Sequence, residues 1–510
     1  MKFGYGLIAY VVVACLAAVS PSVALAATPG NLGTNLAGIT YYDGVVPFND
    51  LVRQGGDWVS NQEGAPWGAG PRLALRPDGW PAQLASGQSA ATPIADVEYP
   101  AGTYSVSWRG TGTFRVAGTT FSGTQGTGTV HLDGSSLVVL EITSTSVTNP
   151  LRAIRVVVPG ANPASVFRTG YVRQLAPYRV LRFMDWQRTN GTFADPVPAQ
   201  TCTTRVRAGF YSQGTRTGAS VEFMVRLANR TGAAPWFTIP HTASRSWIRC
   251  HARYVAANLR SDLVPRYEYS NETWNPAFEQ FHDLTDAATA HGLGNGDSYL
   301  GLQQEVARRH RAAMALVSAE FAARSRRVIR VMAGQAANAF VVDQRLAFEQ
   351  TAKTVDQIAI APYMHMPGAN AFDPTDAQTI AAMSLDDIFA ELNRAIDDEV
   401  TPWVSDHVAL AHAYDKQLVA YEGGQHLAGD PDNDALTDLF VSANRDPRMG
   451  TLYDRYLTQW RTLTGNRLFV HFTDVGPYTR YGSWGTIESS HSNPAASAKY
   501  QALLRFRAGM

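Results

Sequence analysis

From about residue 179 to the C-terminus, short apolar runs alternate with stretches whose apolar residues recur every three or four positions. The runs are 179–185, 235–241, 266–272, 328–333, 357–363, 417–422 and 467–473. Each is too short for a typical helix and is bounded by turn residues, so each reads as a strand. Helical periodicity fills the intervals, in 221–229, 246–259, 302–324, 385–396 and 452–463. Strand and helix in strict alternation require crossover connections, which predicts a parallel sheet. An eighth strand is predicted far upstream at 35–41, followed by a helical turn near 48–53. Eight such units close on themselves, so the predicted fold class is α/β, a (β/α)8 barrel.

One interval breaks this rhythm. Residues 61–160 are rich in Gly, Thr, Ser and Val, and alternate with period two in 102–108, 112–117 and 136–142. That pattern predicts an all-β, sandwich-like module inserted after the first barrel strand. The predicted organisation is therefore a leader at 1–26, the first barrel strand and turn at 31–60, the module at 61–160 and the rest of the barrel at 161–510. The leader has Lys2, an apolar stretch at 7–19 and Ala24-Leu25-Ala26, which fits a signal peptide cleaved near Ala26. This predicts a secreted or periplasmic protein; the alternative is a lipoprotein acylated at Cys15. No later stretch reaches the ~18 apolar residues of a membrane span.

Composition narrows the function classes. Of 510 residues, 45% are hydrophobic and 17% charged, enough for a large core, so a disordered chain is excluded. Lys+Arg and Asp+Glu are both 43, with no basic stripe, so nucleic acid is not a predicted partner. Loops rich in glycine and aromatic rings suit stacking on sugars. Without the leader, Cys202 and Cys250 remain, following neighbouring strands two and three. In an oxidising compartment they are expected to form a disulfide, the alternative being two free buried thiols. His251, His365, His412 and His426 lack metal-ligand spacing, and 430–434 lacks the Gly and distal Glu of a calcium loop. Neither metal nor cofactor is predicted. The absence of a G-x-S-x-G elbow argues against a serine hydrolase.

A barrel carries its active site at the C-terminal ends of its strands. The fourth predicted strand ends at Glu272, in Ser270-Asn271-Glu272-Thr273-Trp274-Asn275, and the seventh ends in Tyr421-Glu422-Gly423-Gly424. Glycoside hydrolysis needs such a pair of carboxyl groups, one protonating the leaving oxygen and one ionised across the sugar. A single glutamate at a strand end is more often a salt-bridged rim residue; two at strands four and seven carry more weight.

Asn-Glu closing strand four with Glu closing strand seven resembles the clan of retaining (β/α)8 glycoside hydrolases that contains many cellulases, mannanases and xylanases. The words around Glu272 also resemble bacterial exported proteins loosely labelled cellulose-binding. The clan resemblance implies Glu272 as acid/base, Glu422 as nucleophile, and Asn271 on the sugar 2-hydroxyl. It implies Tyr363 and Arg182 as groups orienting the nucleophile, and Trp484 as a stacking platform. For Arg182 the alternative is an ion pair with Glu268, and the two roles are compatible. His241, at the end of strand three, and the rings of Trp186 and Trp274 are further substrate-binding candidates; the alternative for His241 is a hydrogen bond to a neighbouring loop, and for the two rings packing inside the rim. The expected function is a secreted retaining glycosidase, cleaving a β-linked polysaccharide in an open, endo-acting cleft. The competing class is a non-catalytic carbohydrate-binding protein on a barrel scaffold, with Trp67, Trp80 and Trp108 of the module as candidate contacts.

Overall fold

The computed structural model describes residues 31–509, except Val97, Pro163 and Phe193. The expected leader, with Cys15 and Ala26, lies outside the described residues. Eight parallel strands close a barrel in chain order. They are β1 (Leu32–Asn35), β2 (Val180–Arg182), β3 (Ala234–Ile239), β4 (Arg266–Tyr269), β5 (Ile329–Ala333), β6 (Gln357–Ile360), β7 (Gln417–Ala420) and β8 (Phe469–His471). Closure comes from β1, which pairs Gly33 with Val180 of β2 and with Val470 of β8.

Alternate residues explain why these strands read as nearly continuous apolar runs. Val180, Trp236, Val331, Ala359, Val419 and Val470 fill the barrel interior. Their neighbours Leu181, Phe237, Ile358, Leu418 and Phe469 face the surrounding helices instead. Both faces are buried, as in other all-parallel sheets. The predicted helical stretches appear as Val221–Thr231, Arg245–Asn258, Ser298–Ala322, Leu385–Ala395 and Arg448–Thr464. Further helices, among them Glu279–Ala290 and Asp434–Arg445, bury apolar stripes too narrow to stand out in the sequence.

Two strand expectations are corrected. The sequence pattern places the first strand at 35–41, but the chain pairs only over Leu32–Asn35. Leu36, Ala37 and Ile39 are buried beyond its end, packed in the helix-side core. An apolar run reports burial, and burial here continues after strand pairing has stopped. Apart from β5, which ends at Ala333 as the run predicts, the other strands end before the predicted runs do, so Asp185, His241, Glu272, Tyr363 and Glu422 all stand on the loops just past the strand ends.

The insert forms an antiparallel sheet of six strands and a small separate pair, Ala74–Leu75 with Pro81–Gln83. Its long strand Gly102–Val116 pairs with Thr119–Leu132 along one side. On the other side it pairs first with Arg152–Val157 and then with Val138–Thr145. This change of partner bends the sheet around a single core of Tyr104, Val106, Phe114, Leu140, Ile142 and Ile154. Trp80 and Trp108, candidate glycan contacts by sequence, are 4% and 7% exposed and belong to this core. Their rings supply apolar area that a six-stranded sheet needs. Trp67 is 63% exposed.

Buried Asp50 fastens the insert where the chain leaves and re-enters the barrel. One of its carboxylate oxygens accepts from Val52 N at 3.3 Å and Val156 N at 3.0 Å. Trp58 and Trp80 pack on Tyr211, which lies in the long loop after β2. The Tyr211 hydroxyl donates to Gly56 O at 2.7 Å. The same loop is tied to the helix Arg245–Asn258 by the disulfide Cys202–Cys250, with Cα atoms 5.9 Å apart. Insert and disulfide both brace the β2 loop, which forms part of the barrel mouth. Among the described residues, no helix is long and apolar enough to cross a membrane.

Candidate active site

Arg182, the last residue of β2, points into the barrel and is fully buried. Its Nη1 donates to Glu422 Oε1 at 2.7 Å and to Asn35 Oδ1 at 3.0 Å. Its Nη2 donates to Asn271 Oδ1 at 2.7 Å and reaches Glu268 Oε1 and Oε2 at 3.1 and 3.0 Å. Tyr421 lies under the guanidinium, 4.9 Å from ring centroid to Cζ. The two roles expected for Arg182 therefore coexist: it holds Glu268 from below and Glu422 from above. Burial opposes the arginine charge, but the two carboxylates outweigh it and raise the pKa. Trp236 Nε1 donates to Glu268 at 2.8 Å and completes that carboxylate's shell.

Glu422 is buried, Glu272 nearly so, and the two differ in their partners. Glu422 has the Arg182 cation on one oxygen and the Tyr363 hydroxyl on the other, at 2.9 Å. Burial raises its pKa, and Arg182 with Tyr363 pulls it back toward the ionised form. Among the described residues Glu272 forms no ion pair, and Arg182 acts on it only weakly. Asn275 Nδ2 donates to it at 2.8 Å and the Tyr421 hydroxyl at 3.3 Å. Desolvation, with the charge of Glu422 adding, pushes the Glu272 carboxyl to about 7. Of the two, Glu272 is the group that keeps its proton to higher pH, because only Glu422 is ion-paired.

The backbone places these groups by unusual means. Ser270 and Glu272 have φ of 55° and 39°, left-handed values that non-glycine residues seldom adopt. Side chains hold the turn: Gln280 Nε2 donates to Asn271 O at 2.7 Å and to Asn190 Oδ1 at 2.8 Å. Asn271 Nδ2 donates to the same Asn190 oxygen at 3.1 Å. Past Glu422, Gly424 has φ of 133°, and a Cβ at Gly423 would stand 2.7 Å from the Phe469 ring. Only glycine lets the chain turn this closely against β8.

The other expected site residues separate into two groups. Trp274 lines a cavity of about 300 Å³ together with Glu272, Tyr363, Phe372, Trp403 and His426. Trp484 is half-buried, its ring 5.6 Å from that of His426, which in turn is 5.4 Å from the Tyr363 ring. Trp186 borders a second cavity of about 520 Å³ but is 1% exposed, its Nε1 donating to Ala37 O at 3.0 Å. His241 borders neither cavity; its Nε2 lies 3.0 Å from Asp283 Oδ2. His241, Glu279 and Asp283 are the one grouping of metal-ligand type among the described residues, with candidate atoms within 4.8 Å of one another. Glu279 there already accepts from Val197 N at 2.8 Å. A larger cavity of about 990 Å³ opens at the opposite end of the barrel, where β5, β6 and β7 begin, far from the glutamates.

Sequence reasoning missed several participants. Tyr421, Asn275 and Asn190 carry no motif of their own and matter only through contacts across the chain. Asp185 is legible, since it closes the predicted second strand. Its carboxyl is pushed to about 7 by desolvation, with Glu422 adding and Arg182 opposing.

No protein-family model matches this chain, and no curated protein matches it. Among solved structures it is similar to a 4-O-α-L-rhamnosyl-β-D-glucuronidase from Fusarium oxysporum, with 12% identity and a TM-score of 0.39. That match covers 64% of this chain and 60% of the other. A GH5 cellulase affiliated with Bacteroidetes has 10% identity and a TM-score of 0.38, covering 68% and 85%. The CBM22-1 and GH10 modules of a Clostridium thermocellum endo-1,4-β-D-xylanase have 10% identity and a TM-score of 0.37, covering 91% and 97%. These neighbours are glycosidases by name, and the barrel of this chain rests on the strand pairing described above.

Proposed function

We infer that the protein is a retaining glycosidase that cleaves β-glycosidic bonds of a polysaccharide, with Glu272 as acid/base and Glu422 as nucleophile. The observation that carries this reading is the unequal environment of two desolvated glutamates at one barrel mouth. A double displacement needs one carboxyl protonated and one ionised at the start. Glu272, without an ion pair among the described residues, suits the first task. Glu422, ion-paired with Arg182 and held by Tyr363, suits the second.

In the first step Glu422 attacks the anomeric carbon and Glu272 gives its proton to the departing oxygen. In the second, Glu272 takes a proton from water, which attacks the same carbon and releases Glu422. Asn271, fixed by Arg182 and Asn190, stands beside both carboxyl groups, where a hydroxyl of the bound sugar can reach its amide. One open cavity lined by Glu272 and a second lined by Asp185 at the same barrel mouth favour internal cleavage of a chain. Export by the N-terminal leader would bring the enzyme to such a substrate.

The test is Glu422→Gln, assayed for reducing ends on neutral β-linked plant and microbial polysaccharides. Activity should fall by at least about 10³-fold while the unfolding transition keeps its cooperativity. Near-normal turnover by this variant on a substrate of the wild type would falsify the nucleophile assignment. Proton NMR of the first-formed anomer should show retention.

A further inference from the structure

The cavity that Glu272 lines and the cavity that Asp185 lines differ in chemistry; Asp185 feels the charge of Glu422, and the difference bears on which sugar is cleaved if the glycosidase reading holds. An acid must reach the leaving oxygen, so the leaving group faces the cavity that Glu272 lines. That cavity is walled by Trp274, Phe372, Trp403 and several alanines. The sugar that becomes bound to Glu422 then extends into the other cavity, toward β1 and β2.

This second cavity is lined by Tyr41, Tyr42, Asp43, Asp185, Arg188 and Asp195, among others. Three carboxyl groups thus stand against one guanidinium. That guanidinium is engaged: Arg188 is ion-paired with Asp195, which also accepts from Arg216 at 2.8 Å. Asp43 and Asp185 make no ion pair among the described residues. The Asp185 carboxyl also accepts no hydrogen bond from a described side chain, although desolvation and the charge of Glu422 both act on it. A desolvated carboxyl without a protein partner, lining an open cavity beside the reacting group, has its acceptor oxygens free for a ligand.

We propose that Asp185, with Asp43, is the specificity determinant of the glycone pocket, accepting hydroxyl or ammonium donors of a neutral or amino sugar and rejecting uronic acids. A carboxylate accepts two neighbouring hydroxyls in a fixed geometry. Above the pH of about 7 at which Asp185 ionises, a uronate placed there would face Asp43, Asp185 and Glu422 with no unpaired cation among the described lining residues to receive it. Like charges at such range in a low-dielectric pocket are strongly unfavourable. The Tyr41 and Tyr42 rings, 5.0 Å apart and nearly perpendicular, offer a face for the sugar ring at the outer edge.

The experiment uses the full chain carrying Glu272→Gln, which mimics the protonated acid and blocks turnover. Isothermal titration at about pH 8.5, above the Asp185 value of about 7, would compare cello-, manno- and xylohexaose, a chitosan hexamer, and hexamers of β-1,4-glucuronan and mannuronan. The tightest ligand should be neutral or amino, with each uronide at least tenfold weaker. Adding Asp185→Asn should weaken the best ligand about 10-fold or more and narrow the gap to the uronides, while Asp195→Asn should not narrow it. A uronide within threefold of the best ligand, or no binding by any hexamer, overturns the proposal. So does an Asp185→Asn protein with unchanged preference. If the order holds but the wild-type protein cleaves none of the hexamers or their parent polymers, the glycosidase reading fails and the pocket assignment stands. Cleavage that favours uronides overturns the pocket assignment and leaves the glycosidase reading standing.

Discussion

The barrel mouth and the inserted sheet are both well packed, but they bury different chemistry. The insert core is made of Tyr104, Val106, Phe114, Leu140, Ile142 and their apolar neighbours. Within its strands only Gln88 and Thr92 are buried polar residues. The mouth buries Arg182, Glu268, Asn271 and Glu422 together, with Glu272 and Asp185 close by. Buried charge is a poor way to gain stability, because desolvation opposes the pairing. An apolar core of the same volume would serve folding as well or better. On the proposed glycosidase reading, the buried charges of the mouth are groups for chemistry, while the insert core is apolar packing.

The largest expected effect on this contrast is at Glu272. Glu272→Ala should lower turnover of natural substrates about 10²–10⁴-fold and remove the alkaline limb of the pH–rate profile, which should lie near 7 in the wild type. Activated aryl glycosides should be spared in the first step, and azide should restore part of the rate. Equal loss on both substrate types without azide rescue would make Glu272 structural. The same raised pKa has a stability consequence. Glu272 favours folding in its protonated form, so its contribution is complete below the unfolded value of 4.5 and is lost as pH rises through about 7. Glu272→Gln should flatten that part of the stability curve.

Next come two substitutions of similar cost and opposite meaning. Arg182→Met leaves Glu268 and Glu422 buried without their cation and should cost about 3–5 kcal/mol. Phe114→Ala opens the insert core and should cost about 3–5 kcal/mol. Denaturant unfolding measures both. Only Arg182→Met should also displace the acid limb of the pH–rate profile. An unmoved acid limb in that variant would mean that Arg182 does not set the charge of Glu422.

Cys202→Ser is expected to be milder. The bridge spans a sequence separation of 48, and its loss should cost about 2–4 kcal/mol, read as a lower melting temperature. Free thiols at both positions in protein exported to an oxidising compartment would remove the claim. The smallest effect belongs to Trp67→Ala. Trp67 is exposed on the insert and lines neither cavity of the barrel mouth, so hydrolysis of soluble oligosaccharides should be unchanged. Weaker retention on insoluble polysaccharide would assign the insert a binding role beyond bracing.

The barrel is legible in the order of residues alone, because burial of both sheet faces writes long apolar runs and the helices between them keep a period near 3.6. So is the place to look for chemistry: Glu272 and Glu422 close two of those runs, and Arg182 sits inside a third. Packing in three dimensions was needed to end β1 at Asn35, to draw Trp80 and Trp108 into a core, and to turn His241 to Asp283. A hydrophobic run records burial without naming the partner, and a ring looks the same in sequence on a surface or in a core. The sorting of the two glutamates is likewise tertiary. Their motifs are alike, and what separates them is Arg182, 240 residues from Glu422 along the chain and 2.7 Å from it in the fold.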